Sequence, residues 1–155
     1  MRRAFGVVAL GLALWMAALP AWAVPPGIIA GELLGGTLGG VIGAGIGVVA
    51  IAEIAPTLES RAARVGTVIT GVTLGGGLGA MAGVLASGRL LGIEGNTAGC
   101  LLGGLAGGLA SAFVEPFFYL LGVPENITEF LGMLFLPIAP AIGATIGFNL
   151  VRRAP

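Results

Sequence analysis

The sequence predicts an all-α fold: an integral membrane bundle of about four closely packed, glycine-rich transmembrane helices. Three observations predict it. Apolar residues make up 57% of the chain and charged residues only 9%, where soluble domains carry about a quarter charged residues; the mean hydropathy is +1.08. The apolar residues fall in four long runs separated by short polar connections, each run long enough to cross a bilayer. Finally, glycine accounts for 30 of 155 residues and recurs at every fourth position inside those runs. Residues four apart on a helix lie nearly above one another. Such a row is a ridge without side chains, along which another helix can approach closely in lipid.

Residues 1–23 read as a cleavable signal peptide. Arg2 and Arg3 supply a basic start, residues 4–19 an apolar core, Pro20 a break, and Ala21-Trp22-Ala23 a small-x-small cleavage site. Pro25 and Pro26 make an uncleaved first helix the poorer fit. The remaining residues, 24–155, form a single helical domain with helices expected at about 27–52, 65–90, 97–121 and 129–151.

The first helix carries Gly27, Gly31, Gly35, Gly39, Gly43 and Gly47, with Gly36 and Gly40 beside the row; Glu32 is its one charge. The second carries Gly71, Gly75, Gly79 and Gly83, flanked by Thr67 and Ser87. The third carries Gly99, Gly103 and Gly107, flanked by Gly95 and Ser111 and seconded by Gly104 and Gly108. Glu115-Pro116 closes or kinks it, since proline disfavours helix at the preceding residue. Phe117, Phe118 and Tyr119 follow, aromatics of the membrane–water boundary. The row fades in the fourth run, where Pro137 and Pro140 predict a kink or a broken helix. A strand would also place every fourth residue on one face. Glycine weakens strands, however, and the intervening residues lack the apolar–polar alternation of a membrane barrel.

Each step of four residues overshoots a full helical turn by about 40°, so the row from Gly27 to Gly47 drifts about 200° around a straight helix. The expectation is that one neighbour covers its start and another its end, with helix one packing on both helices two and three.

The charges are seven Arg and seven Glu, with no Lys, Asp or His. A cleaved signal peptide puts the start of helix one outside the cytoplasm and the connection holding Arg61 and Arg64 inside, as the positive-inside rule prefers. Glu32 and Arg89 then share a depth near the outer surface, and pairing them offsets the cost of a carboxylate in lipid. Glu115 falls roughly 27 Å into helix three, where Arg61 or Arg64 is its expected partner.

Several chemistries have no residues to build them. Without His, and with Cys100 alone, neither a transition-metal cluster nor a Ser/His or Cys/His nucleophile is available. Without Lys there is no phosphate loop. The scattered Arg residues make no nucleic-acid surface. The sequence therefore predicts no enzyme activity and no cofactor.

The glycine rows at 27–47, 71–87 and 95–111 resemble those of glycine-zipper membrane proteins, a class defined by this four-residue spacing. The resemblance implies close helix packing, with the lipid bilayer as environment and a second copy or other membrane proteins as partners. The four-segment layout is also similar in pattern to mitochondrial inner-membrane translocase subunits. The expected function is a structural or assembly role in the bacterial cytoplasmic (inner) membrane. The alternative is a small channel, pore or transporter subunit, motivated by Glu32, Glu115 and the proline-broken fourth helix; its polar lining is thin, chiefly Thr37, Thr67, Thr70, Thr73, Thr145 and Asn149.

Overall fold

The computed structural model describes residues 25–52, 54–58 and 60–150. The signal-peptide reading of residues 1–23 lies outside them. The described chain is all-helical: α1 (Pro26–Ala52), a 3₁₀ turn (Ala55–Thr57), α2 (Arg61–Leu90), α3 (Thr97–Ser111), the short α4 (Val114–Leu120) and α5 (Glu125–Asn149). Four helical stretches are long and apolar enough to cross a membrane, with α3 and α4 together making the third.

Local chemistry sets the helix ends. Ser60 caps α2 by accepting the Ala63 N–H through Oγ (3.0 Å), and Asn96 caps α3 by accepting the Gly99 N–H (3.0 Å). Gly92 closes α2 with φ +68, and two bonds run back across the turn, from the Ile93 N–H to the Gly88 carbonyl (2.8 Å) and from the Gly92 N–H to the Arg89 carbonyl (3.1 Å). Only glycine takes this left-handed position without steric cost. Gly122 (φ +71) ends α4 in the same way.

Two expectations about proline need correction. The third span breaks earlier than Glu115-Pro116: α3 stops at Ser111, and α4 resumes at Val114. The Pro116 ring conflicts with the carbonyl four residues back, that of Ala112. The break therefore falls there, bridged by tighter bonds from Ala112 to Leu109 and from Phe113 to Ala110. Of the kink or break expected in the fourth span, the break is absent: the span is one helix through both Pro137 and Pro140. Those prolines lie on packed surface, Pro140 buried and Pro137 against Gly40, and neighbouring helices hold the segment together where intrahelical bonds are missing.

α1, α2, α3 and α5 alternate in direction and close into a ring, each packed against the one before and after it. Along the α1–α2 seam Gly35 faces Gly83, Gly39 faces Gly79, Gly43 faces Gly75 and Gly47 faces Gly71. A methyl group at Gly43 would lie 2.8 Å from the Gly79 Cα, so backbone touches backbone. The α3–α5 seam repeats this with Gly99 on Gly147, Gly103 on Gly143 and Gly107 on Ala139. Between α2 and α3, Gly77 faces Gly104 and Thr73 faces Gly108. Between α1 and α5, Gly36 meets Ala141 and Gly40 meets Pro137. α2 and α5 also meet across the centre through Gly76 and Pro140, whereas α1 and α3 do not touch.

The division of the α1 row therefore differs from the expectation. One neighbour, α2, covers Gly35 through Gly47; Gly31 reaches only the Leu91 side chain, and Gly27 faces open space. Both rows have a period of four and drift in the same sense around their axes. Two helices that wrap around one another keep such rows in contact, as periods above 3.6 favour. The second neighbour is α5, not α3, and it packs on the adjacent row of Gly36 and Gly40, about 100° round the helix.

The bundle is small inside and large outside. Ala80, Val84, Cys100, Ala141 and Ala144 fill the centre at 0% exposure. Leu34, Leu38, Ile42, Ile46 and Val49 of α1 point outward at 64–70% exposure. Such an exterior is a liability in water and fits the hydrocarbon of a bilayer.

Candidate functional site

Three of the buried polar residues, Glu32, Thr145 and Asn149, gather at one end of the ring, where α1 begins and α5 ends. Glu32 lies six residues into α1, about 9 Å along the axis, and is fully buried. Its position follows from the packing rows: it precedes Gly36 and Gly40 by one and two turns, on the face that meets α5. Asn149, the last residue of α5, donates Nδ2 to the Glu32 Oε2 (2.6 Å) and to the Thr145 carbonyl one turn back on its own helix (2.9 Å). Thr145 and Asn149 are 3% and 5% exposed. The Thr145 Oγ1 is buried and has no hydrogen-bond partner among the described residues.

The connection between α2 and α3 braces this end. The Asn96 N–H donates to the Phe148 carbonyl (2.8 Å). The Phe148 ring lies where side chains at Gly88 and Gly95 would otherwise stand. It closes a cluster with Ile93, Val84, Ala144 and Cys100. The Cys100 Sγ lies 3.8 Å from the Met81 carbonyl, a small side chain packed in a seam. The carboxylate is thus taken out of lipid and held by an amide from the far end of the chain.

The structure pairs neither Glu32 with Arg89 nor Glu115 with Arg64, and the Arg61 side chain lies outside what is described. Glu32 bonds Asn149, while Arg89 is exposed at the end of α2 and makes no ion pair with it. The reason is rotational: Glu32 belongs to the α5-facing row of α1, about 100° from the row that faces α2. Glu115 is exposed on α4 and lies over Gly132 of α5, with Oε2 3.6 Å from where a methyl group there would stand. Arg64 is exposed and does not pair with it. Of the expected packing rows, Gly35–Gly47, Gly71–Gly83 and Gly99–Gly107 at every fourth position meet the backbone of a neighbouring helix, and Gly27 and Gly31 do not.

Sequence reasoning placed Asn149 among the sparse polar positions but did not find its partner. A signal was present: in an up-and-down ring the start of the first helix and the end of the last lie on one side, so Glu32 and Asn149 are at similar depth. Among the described residues no three His, Cys, Asp or Glu side chains come together as metal ligands. What the Glu32–Asn149 contact offers is hydrogen bonding between helices. In comparison with known proteins, the chain matches no family model, no curated protein and no solved structure.

Proposed function

We propose that this protein is a non-enzymatic integral membrane protein with a structural or assembly role, exerted through close glycine-mediated packing in the manner of a glycine zipper. Its proposed location is the cytoplasmic membrane of a bacterium, reached by a signal peptide at residues 1–23. The observation that carries this reading is the filled interior. The buried polar groups of one end, Glu32, Thr145 and Asn149, are separated from those of the other half, Thr73, Ser111 and Thr128, by Ala80, Val84, Cys100 and Ala144, all at 0% exposure. Ser111 turns its hydroxyl to the Gly108 carbonyl of its own helix (2.7 Å) rather than toward a path. The outward apolar side chains offer contact area to lipid and to other membrane helices.

Reconstitution into liposomes tests the reading. The expected result is an ion and small-solute flux equal to that of protein-free vesicles, unchanged by Glu32→Gln. A flux that requires the protein and falls with Glu32→Gln overturns the structural role in favour of a channel or transporter subunit.

A further inference from the structure

The seams of the ring obey a numerical relation. Gly35 faces Gly83, and 64 residues further along, Gly99 faces Gly147; Gly39 with Gly79 becomes Gly103 with Gly143; Gly43 with Gly75 becomes Gly107 with Ala139. The same offset, without a gap, aligns the sequence itself. Ile29, Gly31, Gly35, Leu38, Gly39, Gly40 and Gly43 recur as Ile93, Gly95, Gly99, Leu102, Gly103, Gly104 and Gly107, and Gly79, Ala80 and Gly83 recur as Gly143, Ala144 and Gly147. One packing rule applied twice would account for the glycines but not for a shared offset in both helices of each hairpin, nor for Ile29 and Leu38.

Within the hairpins and across α2–α5 the tertiary arrangement carries the same relation. Under a two-fold axis, residues 64 apart are mates, and mates near the axis must meet. Gly76 and its mate Pro140 are in contact, with Pro140 Cγ 3.9 Å from a methyl built on Gly76. Ala80 with Ala144 and Val84 with Phe148 belong to one buried cluster. The axis therefore runs between α2 and α5, which is why these two meet while α1 and α3 stand apart.

The symmetry is broken where it concerns connectivity. Two seams join the hairpins, α2–α3 and α5–α1. Residues 91–96 span the first; no connection spans the second. The Gly36–Gly40 row of α1 meets Ala141 and Pro137 one turn away from the register that the offset carries over from α2–α3, where Gly77 on Gly104 has Ala141 on Gly40 as its mate; the unconnected seam is thus degenerate between two registers four residues, about 6 Å, apart. A buried polar pair has one solution and removes such degeneracy. Glu32 and Asn149 stand on the unconnected seam. Their mates on the connected seam are Asn96, used to cap α3, and Leu85.

We infer that the chain is a tandem duplication of one helical hairpin, and that the Glu32–Asn149 hydrogen bond is a register latch on the one inter-hairpin seam that no connection spans.

A circular permutant tests both parts. Residues 1–25 are followed by 97–150, a copy of 91–96, residues 26–90 and residues 151–155, so that the connection now spans α5–α1. In a Cys100→Ala background, disulfide formation is compared for Gly36→Cys/Ala141→Cys, the observed register, and Gly40→Cys/Ala141→Cys, the register slid by four. A methyl at Gly36 lies 3.1 Å from the Ala141 Cβ, a few tenths of an ångström inside the ~3.5–4.5 Å of a relaxed bridge, so a small separation of the helices admits the disulfide. In native order the first pair is expected to exceed the second by about tenfold, and Glu32→Leu to bring the two near parity. In the permutant carrying Glu32→Leu the second pair, the mate of Gly77 on Gly104, dominates. A Glu32→Leu permutant that keeps the first pair overturns the duplication. A native-order Glu32→Leu protein that keeps a single register overturns the latch. If Glu32→Leu does not accumulate, Asn149→Leu removes the donor from the other helix, and a single register in it overturns the latch equally.

Discussion

Replacing Gly39 by alanine is expected to destabilise the bundle, although the same change at Gly45 does not. A methyl on Gly39 would stand 3.0 Å from the Gly79 carbonyl carbon and 3.1 Å from the Gly83 Cα, with the Gly79 oxygen nearer still. These are backbone atoms that no rotamer change can move, so α1 and α2 must separate. A gap of about 0.5–1 Å forfeits a quarter to a half of each dispersion contact worth about 0.1–0.2 kcal/mol. Across roughly 40 atom pairs along the seam the loss is about 2 kcal/mol, within the ~1–3 kcal/mol typical of overpacking. Helix propensity returns up to about 1 kcal/mol, leaving a net loss of about 1 kcal/mol or more. At Gly45 a methyl meets nothing within 4 Å, so only the propensity gain remains, between zero and about 1 kcal/mol. Unfolding of the purified protein in mixed micelles, titrated with denaturing detergent and followed by circular dichroism, reads both. A Gly39→Ala protein as stable as the wild type, or an equal loss at Gly45, would refute backbone contact as the source of cohesion.

Other expectations rest on single observations. Glu32→Gln keeps an acceptor for Asn149 and is expected to cost less than about 1 kcal/mol in the same titration, whereas Glu32→Leu removes the acceptor on α1, leaving the Thr145 carbonyl on its own helix, and costs about 1–3 kcal/mol; equal losses would deny the hydrogen bond a role. Cys100, at 0% exposure, should resist a membrane-permeant maleimide until the bundle opens, and Gly103→Leu, which forces α3 from α5, should expose it; prompt labelling of the wild type would contradict the packed seam. Gly107→Leu should destabilise more than Leu102→Ala, because Gly107 seats the Pro140 backbone while Leu102 is 68% exposed, and micelle titration ranks the two.

Much of the fold was legible from the chain. The helices, their number and their packing rows follow from residue spacing, because a period of four on an α-helix is a physical ridge whatever it meets. The caps at Ser60 and Asn96 and the stop at Gly92 are local chemistry. Where proline breaks a helix was less legible. Pro116 opens the third span four residues upstream of itself, as its ring geometry requires, yet Pro137 and Pro140 sit inside an unbroken helix, because neighbours packed on them supply what the backbone lacks.

The candidate site was half legible. Glu32 stood out as the one charge in the first span, but its partner depends on rotation about the helix axis and on which helix closes the ring. Arg89 has the right depth and the wrong direction. Asn149 is 117 residues away and carries no charge to draw notice.

By itself, the sequence determined that this chain forms apolar helices and that small residues line their contacts. Those properties live in composition and in spacing along one helix. The tertiary structure alone decided which row meets which neighbour, that α1 joins α5 rather than α3, and that Glu32 is held by an amide rather than a guanidinium. Rows one residue apart differ by about 100° around a helix, and only the assembled ring selects among those directions.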